Sequence, residues 1–412
     1  MSQRDLLIIG AGVLGAAVAY ALAQRGLGAR VLVLERSQPA SGATSRSAAM
    51  LALVRDNPLQ RALAQETLRA LAHLSAAEGA ALGRHTVGAL HVASAAGSAA
   101  LQALLARCLE AGIEGQWLEA EAARACAAAR APWLNPQSFD CAAFFPHESY
   151  LDPYLLTSAY LRSATQLGAK VQTQTAVAAV EHDGAAVRAL LLADGSRIEA
   201  SVVVNAAGAW ANRLSLDTGL ALPMAPVRSQ YWITAPDARF ARDGCIVLLT
   251  DIRAYARPEV GALLFGLREA QSVVADARTL PEDLGGYAFN PSDPEGWDEL
   301  AAGAPALEPF FPALAQTPIA HYVQGPSNYT PDGQLIVGAH PNLAGLYLAT
   351  GCNGAGVTCS GGVGRLIAEL VCGSAPFVAP EAMNPARCGS FDPYAPSFLA
   401  ACAAVRSKKT SG

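Results

Sequence analysis

The chain has 412 residues, enough for two domains sharing one large core. It is 52% hydrophobic, much of that alanine, and no run reaches the roughly 18 apolar residues of a membrane span. A formal net charge of −5 argues against nucleic acid or an anionic membrane as partner.

Nine cysteines are scattered without a C-x-x-C pair or a histidine cluster. A disulfide framework or a metal site is therefore not expected, and a reduced, cytoplasmic setting is. The first strand-like run starts at residue 6, which leaves no space for a signal peptide.

In chain order, the apolar run Leu6–Ile9 reads as a buried parallel strand. Gly10, Gly12 and Gly15 follow as G-x-G-x-x-G, and a small-residue helix continues over 16–23. Gly10 permits a tight turn, and Gly12 lets a pyrophosphate reach the backbone N–H groups beside Val13 and Leu14. Gly15 lets helix and strand pack closely. A second strand, 29–34, ends at Glu35 and Arg36. Glu35 falls about twenty residues past the last glycine, where an acid accepts hydrogen bonds from a ribose. Strand, glycines, helix, strand and acid in that order predict a dinucleotide; the alternative is an ordinary strand–helix–strand turn.

Residues 41–50 are small and hydroxyl-bearing, and Ala43, Thr44, Ser45, Arg46, Ser47 and Ala48 let backbone approach a ligand. Residues 59–83, 97–111 and 120–131 read as Ala-rich helices; 139–150 holds aromatics without helical period. Asp152 as N-cap with Pro153 behind it starts a helix running to about residue 167. Strands are expected at 171–175, 186–192 and 195–200. Residues 201–210 form a second buried parallel strand ending in Ala206, Ala207, Gly208 and Trp210.

From 228 to 267 the pattern turns strand-like, at 228–234, 245–250, 254–257 and 262–267. A loop at 276–285 and a helix at 294–303 follow. A strand at 345–351 then enters Cys352-Asn353-Gly354-Ala355-Gly356-Val357-Thr358, with a helix through residue 370. The expected fold is α/β. A discontinuous Rossmann-like domain takes 1–85, 145–220 and 335–385. An α+β substrate domain with a mostly antiparallel sheet takes 86–144 and 221–334, and 386–412 is a C-terminal tail.

The fingerprint at Gly10–Gly15, the strand end Asn205–Gly208 and the segment Gly351-x-x-Gly354-x-Gly356 together resemble the D-amino-acid oxidase superfamily of flavoproteins, over nearly the whole chain. Residues 44–49 are similar to the matching loop of the D-arginine dehydrogenase branch. Residues 325–333 are similar to the sarcosine and dimethylglycine dehydrogenase branch. The resemblance implies FAD across the Rossmann-like domain, and oxidation of an amine carbon by hydride transfer to flavin N5 with hydrolysis of the resulting imine. It places Val177 on the adenine side and the helix beginning near Thr358 at the flavin pyrimidine edge. There its dipole and the N–H groups of residues 354–358 would act as an oxyanion hole does.

Some relatives bind FAD covalently through a histidine in the early loop, where Ser45 and Arg46 stand here, or through a cysteine, near Gly325 here. FAD is therefore expected to be non-covalent. The chain has three lysines, at 170, 408 and 409, and none is expected near the flavin. That tilts the reading toward a dehydrogenase passing electrons to an acceptor partner or within an oligomer.

For the substrate, the resemblance makes Tyr255 an active-site residue, its hydroxyl on a carboxylate and its ring walling the pocket; core packing is the alternative. Arg257 shares a strand face with Tyr255, and either it or Arg253 would clamp a carboxylate bidentately. Arg228 opens a strand reaching the flavin edge. The arginine that holds the carboxylate in the D-arginine dehydrogenase branch falls near Ser327 and Asn328, so Arg253, Arg257 or Arg55 would have to replace it. Met50 and Arg55 stand where that branch places a histidine and a tyrosine, so its guanidinium specificity should not carry over. His321 is a candidate proton acceptor, Tyr329 lies in the substrate loop, and Asn353 would hydrogen-bond substrate or water. The expected substrate is a small amino acid or a secondary or N-methyl amine. Oxidation of a 2-hydroxy acid, an electron-transfer flavoprotein subunit and a nicotinamide enzyme using Gly10–Glu35 alone remain open.

Overall fold

A computed structural model describes residues 5–78, 82–240 and 243–409. Its first unit is strand β1 (Leu6–Ile9), helix α1 (Val13–Leu22) and strand β2 (Val31–Leu34). All eight strand residues are buried, which explains their unbroken apolar character. Gly10 makes the turn with φ +99°, and a Cβ there would lie 2.7 Å from the Ala206 carbonyl oxygen. A Cβ on Gly15 would lie 2.0 Å from the Gly10 carbonyl oxygen. Only glycine allows helix and turn to close together at these two positions.

Next come α2 (Pro58–Glu78), β3 (Ala89–Ala93), α3 (Ser98–Glu110), β4 (Gln116–Leu118), α4 (Ala120–Arg130) and β5 (Cys141–Phe145). The expected helix at 59–83 is α2, and residues 79–81 lie outside the described residues. Helix α5 (Pro153–Gln166) starts where the sequence places it: the Asp152 carboxylate accepts from the N–H groups of Tyr154 and Leu155.

Of the elements that follow, those of the two main sheets and the helices that position the site are β6 (Lys170–Gln172), β7 (Val202–Asn205), β8 (Ala225–Thr234), β9 (Ile246–Leu249), β10 (Ala254–Glu259), β11 (Ala262–Gly266), α6 (Trp297–Leu307), β12 (Ile319–Tyr329), β13 (Ile336–Ala339), β14 (Leu346–Thr350), α7 (Gly356–Val371) and α8 (Pro396–Lys408). The strands Val177–His182, Val187–Leu192 and Arg197–Glu199 pair in a small separate sheet. The strands β3, β4, β5 and β13 have no counterpart in the sequence reading. Residues 319–329, read there mainly as a loop, form one long strand. The segment read as a tail carries α8.

Two sheets organise the chain. The first has the order β13-β14-β7-β1-β2-β6, parallel throughout except for β13. The second has the order β12-β8-β11-β10-β9-β3-β5-β4, antiparallel except for the β9–β3 pair. This is the expected α/β class with a mostly antiparallel second sheet. The largest core packs α1, α5 and α7 against β1, with Ala16, Ala17, Tyr160, Val363 and Ile367 fully buried. No helix among the described residues is long and apolar enough to cross a membrane.

Candidate functional site

The carboxyl ends of β1, β7 and β14 and the N-termini of α1 and α7 open into one elongated cavity of about 410 Å³, within the range of small-molecule sites. At one end lie Gly10, Gly12, Val13 and Leu14 with Glu35 and Arg36. Glu35 is buried; its carboxylate accepts from the N–H of Ala11 at 2.8 Å and of Ser37 at 2.9 Å. Those bonds hold the acid at the rim of the fingerprint turn. The Arg36 guanidinium stacks 3.7 Å from the Trp210 ring centroid, and Ala206, Ala207, Gly208 and Val177 complete this end.

Loop 41–48 closes over α1. Thr44 Oγ1 accepts from Val13 N–H at 3.1 Å, and Arg46 donates to the carbonyl oxygens of Ser41 and Gly42. Ala43, Thr44, Arg46, Ser47 and Ala48 line the cavity, whereas Ser45 is exposed. Gly354, Gly356, Val357 and Thr358 line it from the start of α7. Three expected cofactor residues, Gly15, Asn353 and Ala355, stand behind the lining. Gly15 packs on Gly10, and Ala355 is buried in the core beneath α7.

These residues fit FAD. A glycine-rich turn at the start of α1, an acid held beside it and a second helix N-terminus share one cavity. FAD needs such partners for its pyrophosphate, its ribose and its flavin edge.

At the other end, Met50, Tyr255 and Tyr329 line the cavity. Tyr255 is buried, and burial raises its hydroxyl pKa despite the Arg268 and Arg406 charges nearby. The Arg268 guanidinium lies 5.7 Å from the Tyr255 ring centroid. Burial first, and Arg406 second, hold Arg268 down at about 10.

Other candidates are committed elsewhere. Arg257 is buried, but its Nε donates to Ala48 O at 2.9 Å and its Nη1 to Pro258 O at 2.9 Å. It also pairs with Glu259 and stacks over Tyr150. Arg228 forms a buried ion pair with Glu269, which also accepts from Gln230. Arg55 donates to Ala52 O at 2.9 Å and to Thr358 Oγ1 at 3.1 Å, and Thr358 in turn bonds Met50 O at 2.8 Å. Arg55 thus fastens the Met50 segment to α7. His321 is exposed on β12. Asn353 is buried with φ +50°. It accepts from Thr330 N–H at 2.9 Å and donates to Gly351 O at 2.8 Å and Gln334 O at 3.0 Å. It shapes the loop before α7 from behind. Arg253 donates to Ser407 O at 3.0 Å, tying its turn to α8.

Among the lining residues that escape the sequence reading are Tyr231, Arg268, Arg406 and Lys409. The expectation that no lysine stands near the cofactor site is corrected. Helix α8 folds back, and Lys409 just beyond it lines the cavity. Burial, with Arg55, Arg268 and Arg406 nearby, holds its ammonium well below the ordinary lysine value. No spacing signal points to the pair, because Lys409 follows α8 in extended backbone. Among the described residues no group of three or more His, Cys, Asp or Glu is placed to hold a metal.

Comparison with known proteins agrees with this geometry. The chain is 27% identical over 400 residues to mitochondrial dimethylglycine dehydrogenase of Mus musculus, covering 94% of this chain and 44% of that protein. It is 26% identical over 379 residues to 4-methylaminobutanoate oxidase (formaldehyde-forming) of Paenarthrobacter nicotinovorans, covering 90% and 44%. It thus spans less than half the length of these curated relatives. Glycine oxidase from Geobacillus kaustophilus superposes with a TM-score of 0.75 at 24% identity, covering 94% of this chain and 99% of that one. Residues 5–370 match the DAO family, described as FAD dependent oxidoreductase, and the chain belongs to that family.

Proposed function

We propose that this chain oxidises the C–N bond of a small amino acid or a secondary or N-methyl amine, with non-covalently held FAD supplying the hydride acceptor. The observation that carries this reading is the single cavity, which runs from the Gly10–Gly15 fingerprint past the start of α7 to Tyr255, Arg268 and Arg406. A cofactor cradle that ends in tyrosine and guanidinium groups suits an amine bearing a carboxylate. The relatives support it: one is a dehydrogenase of an N-methylated amino acid, the other an oxidase of a methylamino acid.

In this reading Gly12 and Leu14 would present backbone N–H groups to the pyrophosphate, with the Val13 N–H held by Thr44, and Glu35 would receive the ribose. The amides of residues 356–358 and the α7 dipole would stabilise negative charge at the flavin edge, the Ala355 N–H being bound to Cys352 O. Tyr255, Met50 and Tyr329 wall the substrate end and exclude water. With Arg257 turned to Ala48 and His321 exposed, neither is assigned proton transfer; the amine enters neutral.

The test is anaerobic mixing of the purified yellow enzyme with a panel of amino acids, N-methyl amino acids and 2-hydroxy acids. Bleaching by members of the first two groups is expected. Bleaching by hydroxy acids alone, or by none of the panel, overturns the reading. Reoxidation by air against a dye then separates oxidase from dehydrogenase. The tilt toward dehydrogenase drawn from a missing lysine no longer holds, because Lys409 lines the cavity.

A further inference from the structure

We propose that Arg406, delivered by the C-terminal helix α8, receives the substrate carboxylate, which makes the substrate an amino acid, free or N-substituted, rather than a simple amine. This rests on the functional reading above and names the group that selects within it.

Arg406 is 2% exposed yet lines the cavity. Its Nε reaches Ser229 Oγ only at 3.4 Å, and its Nη1 meets no hydrogen-bond partner among the described residues. A buried guanidinium donor left without an acceptor is costly, and native proteins retain one where an acceptor arrives with a ligand. The side chains around it on the cavity wall are Arg268, Tyr255, Tyr329 and Lys409. The nearest acid in sequence to Arg268, Glu269, is already bound by Arg228 and Gln230. A carboxylate supplies what the orphan donor lacks: two oxygens matched to parallel N–H bonds from one guanidinium.

The position also answers a gap in the sequence. Ser327 and Asn328 stand on β12 where the resemblance placed an arginine, and both line this cavity. Arg406 enters the same space from a different element. Four hydrogen bonds hold the end of that element in place: Arg253 to Ser407 O at 3.0 Å, Arg268 Nε to Lys409 O at 3.1 Å, Ser272 N–H to Ser407 Oγ at 3.0 Å, and the Ser407–Ser272 hydroxyl pair at 3.0 Å.

The experiment titrates the oxidised, FAD-loaded enzyme with propionate and with propionamide, following the flavin visible spectrum. Propionate should give a saturable perturbation and propionamide none. Arg406→Met should weaken propionate at least tenfold, and Arg406→Lys, which keeps charge but loses the fork, severalfold. Either variant binding propionate as tightly as wild type, at full FAD content, overturns the proposal. So does equal binding of propionamide, or of chloride at the same concentration. If Arg406→Met fails to retain FAD, Arg406→Lys decides alone. No turnover is needed: propionate binding that depends on Arg406, without bleaching by any amine, faults the reaction assigned above and leaves the carboxylate site standing. Bleaching by amino acids with propionate binding untouched in both variants does the reverse.

Discussion

A Cβ on Gly354 would lie 2.7 Å from Lys409 Nζ, and the Tyr329 hydroxyl is equally close to the same point. The start of α7 therefore meets the residue that follows α8, and a side chain between them would require Lys409 Nζ or the Tyr329 hydroxyl to shift. Gly354 also has φ +71°, a conformation that costs a non-glycine residue about 1 kcal/mol or more. Gly354→Ala should lower both thermal stability and FAD occupancy of the purified protein. Strain alone would lower stability and leave occupancy near wild type, so the absorbance ratio at the flavin and protein bands separates the two causes.

Lys409 gives a pH-dependent expectation. Its folded pKa lies well below the ordinary value of 10.5, through burial first and then Arg55, Arg268 and Arg406. Between the folded value and 10.5 the unfolded chain binds the proton and the native chain does not, so this contribution to stability rises with pH. Below the folded value the native protein must hold a buried cation. Lys409→Met removes that cost. The variant should melt above wild type near neutrality, with the gap narrowing as pH climbs toward 10.5. A gap independent of pH would show that packing, and not ionisation, separates the two proteins.

What the sequence disclosed was local. Strand β1, the glycine turn, the Asp152 cap and the start of α7 were legible because each depends on residues within a few positions of one another. The long-range placements were not. Helix α8 is Ala-rich and carries no strong apolar stripe, so nothing in its composition tells where it docks, and Arg406 and Lys409 went unseen with it. Strand alternation put Arg257 beside Tyr255, but alternation fixes a face and not a partner. Ala48, far away in sequence, claims the Arg257 Nε. The sequence suggests Asn353 as a hydrogen-bonding partner of substrate or water, whereas its three-way bonding to Thr330, Gln334 and Gly351 depends on the β12–β13 connection.

The sequence resemblance sets Ser45-Arg46 and Gly325 near the two places where some relatives carry covalent links, and Arg46 lies against Gly325. A Cβ on Gly325 would lie 2.8 Å from Arg46 Cβ, so the arginine stem fills the space a cysteine would need. Neither residue offers a nucleophile to the cofactor. Acid precipitation of the yellow protein should therefore leave all flavin in the supernatant and a colourless pellet. Flavin fluorescence remaining with the denatured chain on a gel would contradict this.

Glu148 supplies the last expectation. It is buried, and its Oε1 accepts from Leu53 N–H at 2.7 Å and Val54 N–H at 3.3 Å. It thereby buttresses the segment that presents Met50 to the cavity. Burial pushes its carboxyl up to about 7, against the pull of the Leu53 N–H and Arg55. Between its ordinary value of 4.5 and about 7 the native chain keeps a proton that the unfolded chain has lost, so stability falls as pH rises. At about 1.4 kcal/mol per pKa unit the swing is on the order of 3 kcal/mol. His91, buried against Phe145 and lowered to about 4 by burial, acts in the opposite sense at acid pH, so wild type alone would mask the effect. Glu148→Gln isolates it, because Gln keeps an acceptor for Leu53 and never ionises. Relative to wild type, the variant should gain stability steadily from pH 4.5 to 7 and plateau above. Denaturant midpoints across that range check this, and a constant offset would show that the carboxyl is ionised in the native protein throughout.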